Sequence, residues 1–333
     1  MKTDKKKFSS IRLITGLVIL FSLFYWIDFS EVWKILSQTE WQVLLILFII
    51  FITDRLFMAF KWGILLKKFN PEIKLSVLAK AYLYSAFVGQ FIPVSISGDI
   101  IRYFKIKSES VSGSNIFTSI IIEKLFGTLA LLSVVFISML LIRNDVIKFP
   151  GFKSLVEITS ILLILLLLLF AFAVKRNLFK YFSEMLPVKF AGKVSKVTKA
   201  FNNYFDNKNI LVLFFIFCLL EQIFPIFADF LFARSLNIDI SFLQMSFVVS
   251  TTLLFARLPI SPSSIGFQEG VLVGLFMLLG FTKEQGLAVG IGTRILGMIF
   301  TLPIPIVFFN DIFSSISGAK KELNNNKDSK FTI

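Results

Sequence analysis

The chain has 333 residues, 56% of them hydrophobic and 17% charged, with 42 phenylalanines and a net charge of +14. A soluble domain carries about a quarter charged residues, and runs such as ILLILLLLLFAFAV (161–174) leave no face for water, so the chain reads as an all-α, polytopic integral membrane protein. It has no histidine, and its one cysteine, Cys218, lies in an apolar run; this removes imidazole bases, Ser-His nucleophiles, internal disulfides and Cys-rich metal sites.

Continuous rather than alternating apolar runs exclude a β-barrel, and no phosphate-cradling glycine loop appears. The basic excess fits cytoplasmic loops facing anionic lipid better than it fits nucleic acid. No cofactor and no metal is expected.

Residues 1–10 (MKTDKKKFSS) form a basic N-terminus expected in the cytoplasm. The first apolar segment, 11–27, is followed by bulky FYWIDFSEVW, which lacks a small-residue cleavage site, so it reads as an uncleaved anchor. A span at 41–60 follows. The 61–80 loop carries Lys61, Lys67, Lys68, Lys74 and Lys80 against Glu72, and is expected in the cytoplasm.

The next apolar segment, 81–97, runs into GQFIPVSISGDIIR (89–102). Pro93 lacks an N–H and breaks a helix, and Gly89 and Gly98 permit tight bends. Loop charge decides its path. The 175–209 loop is also strongly basic, with Lys175, Arg176, Lys180 and Lys189 among its cations. Full spans at 115–142 and 155–174 lie between. If 81–97 crossed completely, the two basic loops would face opposite sides. If it dips in and returns, both face the cytoplasm, together with Arg102, Lys105 and Lys107. The re-entrant path satisfies all these charges; an ordinary span ending early at Pro93 is the alternative.

Within 189–205, Phe190, Val194, Val197, Phe201 and Phe205 recur at helical spacing beside Lys189, Lys193, Lys196 and Lys199. That is the pattern of an interfacial helix on anionic lipid, with a plain connector helix as the other reading. A span at 210–233 holds Glu221, Gln222, Pro225 and Asp229.

A second interrupted region, 242–280, contains RLPISPSSIGFQEG (257–270), with Pro259, Pro262 and Gly266 between apolar pieces too short for a crossing of about 20 residues. It reads as a hairpin entering from outside. The last span is 287–309, in which the small residues of GIGTRILG (290–297) suit close helix packing. Residues 311–333 form a polar, disordered tail, cytoplasmic like the N-terminus. The total is about six full spans plus two broken elements. Each broken element is followed by an ionisable residue in the next span, Glu123 after Asp99 and Arg294 after Glu269, as in an inverted repeat with its substrate site near mid-membrane.

Charges at that depth cost roughly 2.5–3.5 kcal/mol each on insertion scales. Asp54 and Arg55 point about 100° apart on a helix and are expected to find different partners. Glu123, Lys124, Glu221, Asp229, Arg257, Glu269 and Arg294 complete the set. Any one pair could be a salt bridge that fixes packing; the whole set suits a wet cavity for a zwitterionic or multiply charged head group.

At these residues the sequence resembles the transmembrane region of the lysylphosphatidylglycerol synthases, a flippase-like family. The resemblance rests on Pro93, Gly98, Asp99 and Arg102; on Glu123-Lys124, where arginine is commoner second; on Pro259, Ser261, Pro262, Gly266 and Glu269; and on Arg294. Ser263-Ser264 stands where the family has a glycine pair. The resemblance covers about residues 8–310 and implies one flippase-like domain, 11–310, that moves a phospholipid or lipid-linked head group between leaflets of a bacterial cell membrane. The chain ends soon after its last span, so the resemblance implies the translocating part without the aminoacyl-transferring one.

Asp99, Glu123, Glu221 and Glu269 are expected to contact a cationic part of the head group, and Arg102 and Arg294 its phosphate. The rival readings are a membrane-embedded transferase and a non-transporting partner of a separate lipid synthase. No catalytic residue is assigned. Expected partners are membrane lipids, with nucleic acid excluded.

Overall fold

The computed structural model describes residues 39–91, 97–107, 111–142, 199–205, 208–258 and 260–304, with isolated positions in 30–37 and 157–165. The anchor at 11–27, most of the span at 155–174, the segment 189–198, Pro93, Pro259 and the tail lie outside the described residues. Among the described residues the secondary structure is helical, without strands. The elements are α1 (Trp41–Leu66), α2 (Leu75–Phe91), α3 (Ser97–Lys107), α4 (Gly113–Leu141), α5 (Lys208–Glu221), α6 (Ile223–Ser235), α7 (Phe242–Ala256), a 3₁₀ turn at Pro262–Ser264, α8 (Phe267–Leu278) and α9 (Lys283–Thr301).

Among the described residues three stretches are long and apolar enough to cross a membrane: α1, α4 and the combined α5–α6, Lys208–Ser235. In the apolar window of α1 only 17% of residues are buried inside the protein. Leu45, Ile49, Leu56 and Phe60 are among those left exposed; lipid, not water, is the solvent such a surface requires. The α5–α6 span bends at Gln222, where Pro225 cannot donate to the helix ladder. Sharp starts come from side-chain caps: Ser241 and Gln244 form a reciprocal box at α7, and Thr282 and Gln285 repeat it at α9.

The two interrupted regions each fold back as a hairpin. In the first, α2 and α3 pack antiparallel, with Gly98 against Ser85 and the Lys105 ammonium over the Tyr84 ring. In the second, α7 and α8 pack antiparallel, joined by the Ser264 hydroxyl donating to the Ala256 carbonyl at 2.8 Å and by the Phe255–Phe267 ring contact. Two apolar clusters show how these hairpins sit. One gathers Leu65, Leu78, Ile106, Ile116, Tyr204 and Phe214, at the end of α1 and the starts of α4 and α5. The other gathers Leu47, Met139, Phe232, Met245, Phe276 and Leu287, at the opposite ends of the same spans. The open ends of the hairpins therefore lie at opposite ends of the bundle, and their tips meet between the clusters.

That meeting level spans Glu123 to Thr128 of α4, from about one third of the way along the helix to its midpoint. Arg257, at the second tip, donates to the Lys124 carbonyl at 2.9 Å and to the Thr128 hydroxyl at 2.7 Å. The first tip pairs with Glu123 and Lys124. With 1.5 Å of rise per residue, Glu123 lies about 15 Å along a helix that is about 43 Å long.

Some boundaries differ from the sequence reading. The first described span continues to Leu66, so Lys61 lies inside α1 and is 1% exposed rather than in a cytoplasmic loop. Five apolar or small residues after it, WGILL, extend the helix past the charge. Phe201 faces the protein rather than lipid: it is buried, stacks on Phe205, and accompanies Tyr204, whose hydroxyl donates to the Leu65 carbonyl.

Ser263 and Ser264 hold φ of 48° and 56°, and Gly266 has φ of 76°. A left-handed residue that is not glycine costs on the order of 1 kcal/mol or more. Ser263→Gly is expected to stabilise the detergent-solubilised protein by about 1 kcal/mol, read as a melting temperature about 2 °C higher. Gly98→Val should do the reverse, because a side chain there collides with the Ser85 hydroxyl and carbonyl.

Candidate functional site

A network of buried charge binds four helices at this level. Arg102 of α3 sends one nitrogen to Glu123 Oε2 at 2.6 Å and the other to Asp99 Oδ1 at 2.6 Å. The forked, planar guanidinium allows both bonds at once. Its flat face lies 5.1 Å from the Trp62 ring centroid and 4.6 Å from that of Tyr82, a cation–π arrangement in a dry setting. The Tyr82 hydroxyl donates to Glu123 and accepts from Arg102. Lys61 of α1 donates to Glu221 of α5 and lies 3.7 Å from Glu123. Lys124 closes the chain by pairing with Asp99. Three carboxylates, Asp99, Glu123 and Glu221, thus balance three cations, Lys61, Arg102 and Lys124. Removing one partner of such a set strands its opposite.

A second pair stands across the hairpin tips. Arg294 of α9 donates to Glu269 of α8 and reaches Gln268 Oε1 at 3.3 Å and the carbonyls of Ser264 and Ser263 at 3.4 and 3.5 Å. The guanidinium therefore satisfies backbone that the left-handed serines turn inward. Asp54 and Arg55 pair with each other at 2.5 Å instead of finding separate partners; the long arginine side chain spans the angle between their Cα–Cβ directions.

Between the tips lies a cavity of about 510 Å³, in the range of small-ligand sites. The first hairpin contributes Ser85, Gly89, Gln90, Gly98 and Asp99; the second contributes Ser263, Ser264 and Gln268; Lys124, Asp229, Thr293 and Arg294 come from the spans. Both carboxylates and both cations face one space. A smaller cavity of about 150 Å³, lined by Phe51, Asp54, Arg55, Phe232 and Phe300 among others, shares Pro225, Asp229 and Thr293 with the first.

Of the six site residues expected from sequence, Asp99 and Arg294 line the larger cavity; Arg102 and Glu269 hold these two from behind, and Glu123 and Glu221 lie one pair farther back, on Arg102 and Lys61. Of the expected breaks, Gly89 and Gly98 line the first tip, Gly266 caps α8 with positive φ, and Pro262 opens the 3₁₀ turn. Lys61, Tyr82, Trp62 and Gln90 were missed. The available signal for Lys61 was its position before WGILL, and for Gln90 its place in an apolar helix directly before the break. Among the described residues no group of three or more acidic, His or Cys side chains could hold a metal ion.

A family model described as the lysylphosphatidylglycerol synthase TM region matches residues 11–304. A UPF0104 membrane protein of Pyrococcus horikoshii is 20% identical over 307 residues, which cover 85% of this chain and 91% of that protein.

Lys61→Met should lower stability by about 3–5 kcal/mol, because it leaves Glu221 buried without its cation. Adding Glu221→Leu to that variant should restore most of the loss. Thermal unfolding of the purified single and double variants measures both; equal melting temperatures for wild type and Lys61→Met would show the network to be idle.

Proposed function

The chain belongs to the family of the lysylphosphatidylglycerol synthase TM region, and we propose that it is a lipid translocase. In this reading a phospholipid or lipid-linked head group passes through the polar cavity while its acyl chains remain in the bilayer. The observation that carries it is the cavity of about 510 Å³ between two opposed hairpin tips, within the length of a membrane-spanning helix, with carboxylates and cations on one wall system. A zwitterionic or multiply charged head group leaves water there without losing polar partners.

Each charged residue takes a role from its place. Arg294 offers guanidinium nitrogens to a phosphate, and Glu269 behind it fixes their direction. Asp99, held by Arg102, presents a carboxylate to an ammonium, which competes with Lys124 for it. Glu123 and Glu221 hold Arg102 and Lys61 and act on the head group through that frame. The end of the bundle bearing Lys67, Lys68, Lys74, Lys105 and Lys107 is the cytoplasmic one by the positive-inside tendency, in a bacterial cell membrane with both termini on that side.

Purified protein in liposomes tests the reading. Transfer of phosphatidylethanolamine or lysylphosphatidylglycerol between leaflets, followed with an impermeant amine reagent, should be about ten-fold faster than in protein-free vesicles, a difference of about 1.4 kcal/mol in barrier. Asp99→Asn and Arg294→Ala should each reduce the rate by about ten-fold. Unchanged transfer in both variants would remove the cavity from the mechanism, and a chemically altered lipid in the vesicles would show a transferase instead.

A further inference from the structure

Most charges at the waist of this molecule have a partner of opposite sign; Asp229 does not. It lies on α6 at the wall common to both cavities. Among the described residues it has no hydrogen-bond or ion-pair partner, although charged residues stand on several neighbouring elements. On α1 these are Asp54 and Arg55, paired with each other. On α9 it is Arg294, paired with Glu269. From α3 and α4 come Asp99 and Lys124, paired together, and on α5 Glu221 is paired with Lys61. The α7 wall is apolar, formed by Val249, Leu253 and Ala256, and Arg257 beyond it bonds to α4. Pro225, one turn before Asp229, lines both cavities as well.

A carboxyl without a charged or hydrogen-bonding partner keeps a proton more readily than one with a cation beside it. We propose that Asp229 is a proton-exchanging carboxyl, which carries a proton while the cavity is empty and gives it up when a cationic head group enters. The inference rests on the translocation reading above and supplies it with an energy source.

The step balances. The carboxyl O–H bond breaks and its proton passes to water in the larger cavity. The carboxylate then accepts N–H hydrogen bonds from a primary ammonium. At the carboxylate one positive charge leaves as one arrives; the exchange is electroneutral for lysylphosphatidylglycerol, whose head group is a net monocation, and moves one net charge for phosphatidylethanolamine, whose phosphate cancels its ammonium. Because either cation occupies the same carboxylate, a proton moving in one direction drives an ammonium-bearing head group in the other.

The test uses the full chain in proteoliposomes of phosphatidylglycerol with a minority of phosphatidylethanolamine or, separately, lysylphosphatidylglycerol. Trinitrobenzenesulfonate reports the share of primary ammonium in the outer leaflet. An imposed gradient of about one pH unit, acid outside, should enrich that leaflet roughly three-fold or more, toward the ten-fold limit that one unit sets. Asp229→Asn should abolish the response to the gradient, and Asp229→Glu should restore it. If the wild type moves lipid but its leaflet ratio ignores the gradient, the exchange is overturned and translocation stands. If Asp229→Asn still responds, Asp229 is not the exchanging group. If the wild type moves neither lipid, translocation and the exchange fall together.

Discussion

Arg102 ties the first hairpin to the interior of α4, with one nitrogen on Glu123 and the other on Asp99. A hairpin that ends inside a membrane has a tip whose backbone and charges cannot be satisfied by lipid. The guanidinium meets that constraint from the protein side. Trp62 and Tyr82 wall it off, Glu123 neutralises it, and Lys61 carries the balance across to Glu221 on another helix. Without such a knot the open backbone near residue 98 would face hydrocarbon.

The second hairpin solves the same difficulty with different parts. Its tip turns through two serines in left-handed geometry, and Arg294 reaches the carbonyls they expose. Glu269 fixes that arginine. What remains between the two tips is a space whose wall groups are held from behind. Preorganised groups of this kind lose little entropy when a ligand arrives. The cavity and the stability of the fold thus depend on the same ion pairs.

Much of this architecture was legible in the residues themselves. Pro93, Pro259 and Pro262 interrupt a helix, and the loop lysines favoured the topology in which the first break returns to its own side over a span ending early at Pro93. The return is visible in the contact of Gly98 with Ser85. Partner choice was less legible. Lys61 was counted with a loop because a charge after an apolar run resembles a helix end, whereas its carboxylates come from helices far away in sequence. Asp54 and Arg55 were separated by helical angle, a rule for Cβ directions that a flexible arginine evades. Asp229 could be recognised as costly, but its isolation emerges only when every neighbouring charge has been assigned a partner.

The arrangement of signs at the tips bears on the electrical behaviour of the molecule. Each hairpin brings one acid and one base to its tip: Asp99 with Arg102 on the first, Glu269 with Arg257 on the second. A charge displaced across the whole membrane field does work of about 2.3 kcal/mol per 100 mV, yet a neutral pair moved together does none. The acid and the base at each tip cancel, so a joint displacement of those two side chains through the field would carry no net charge.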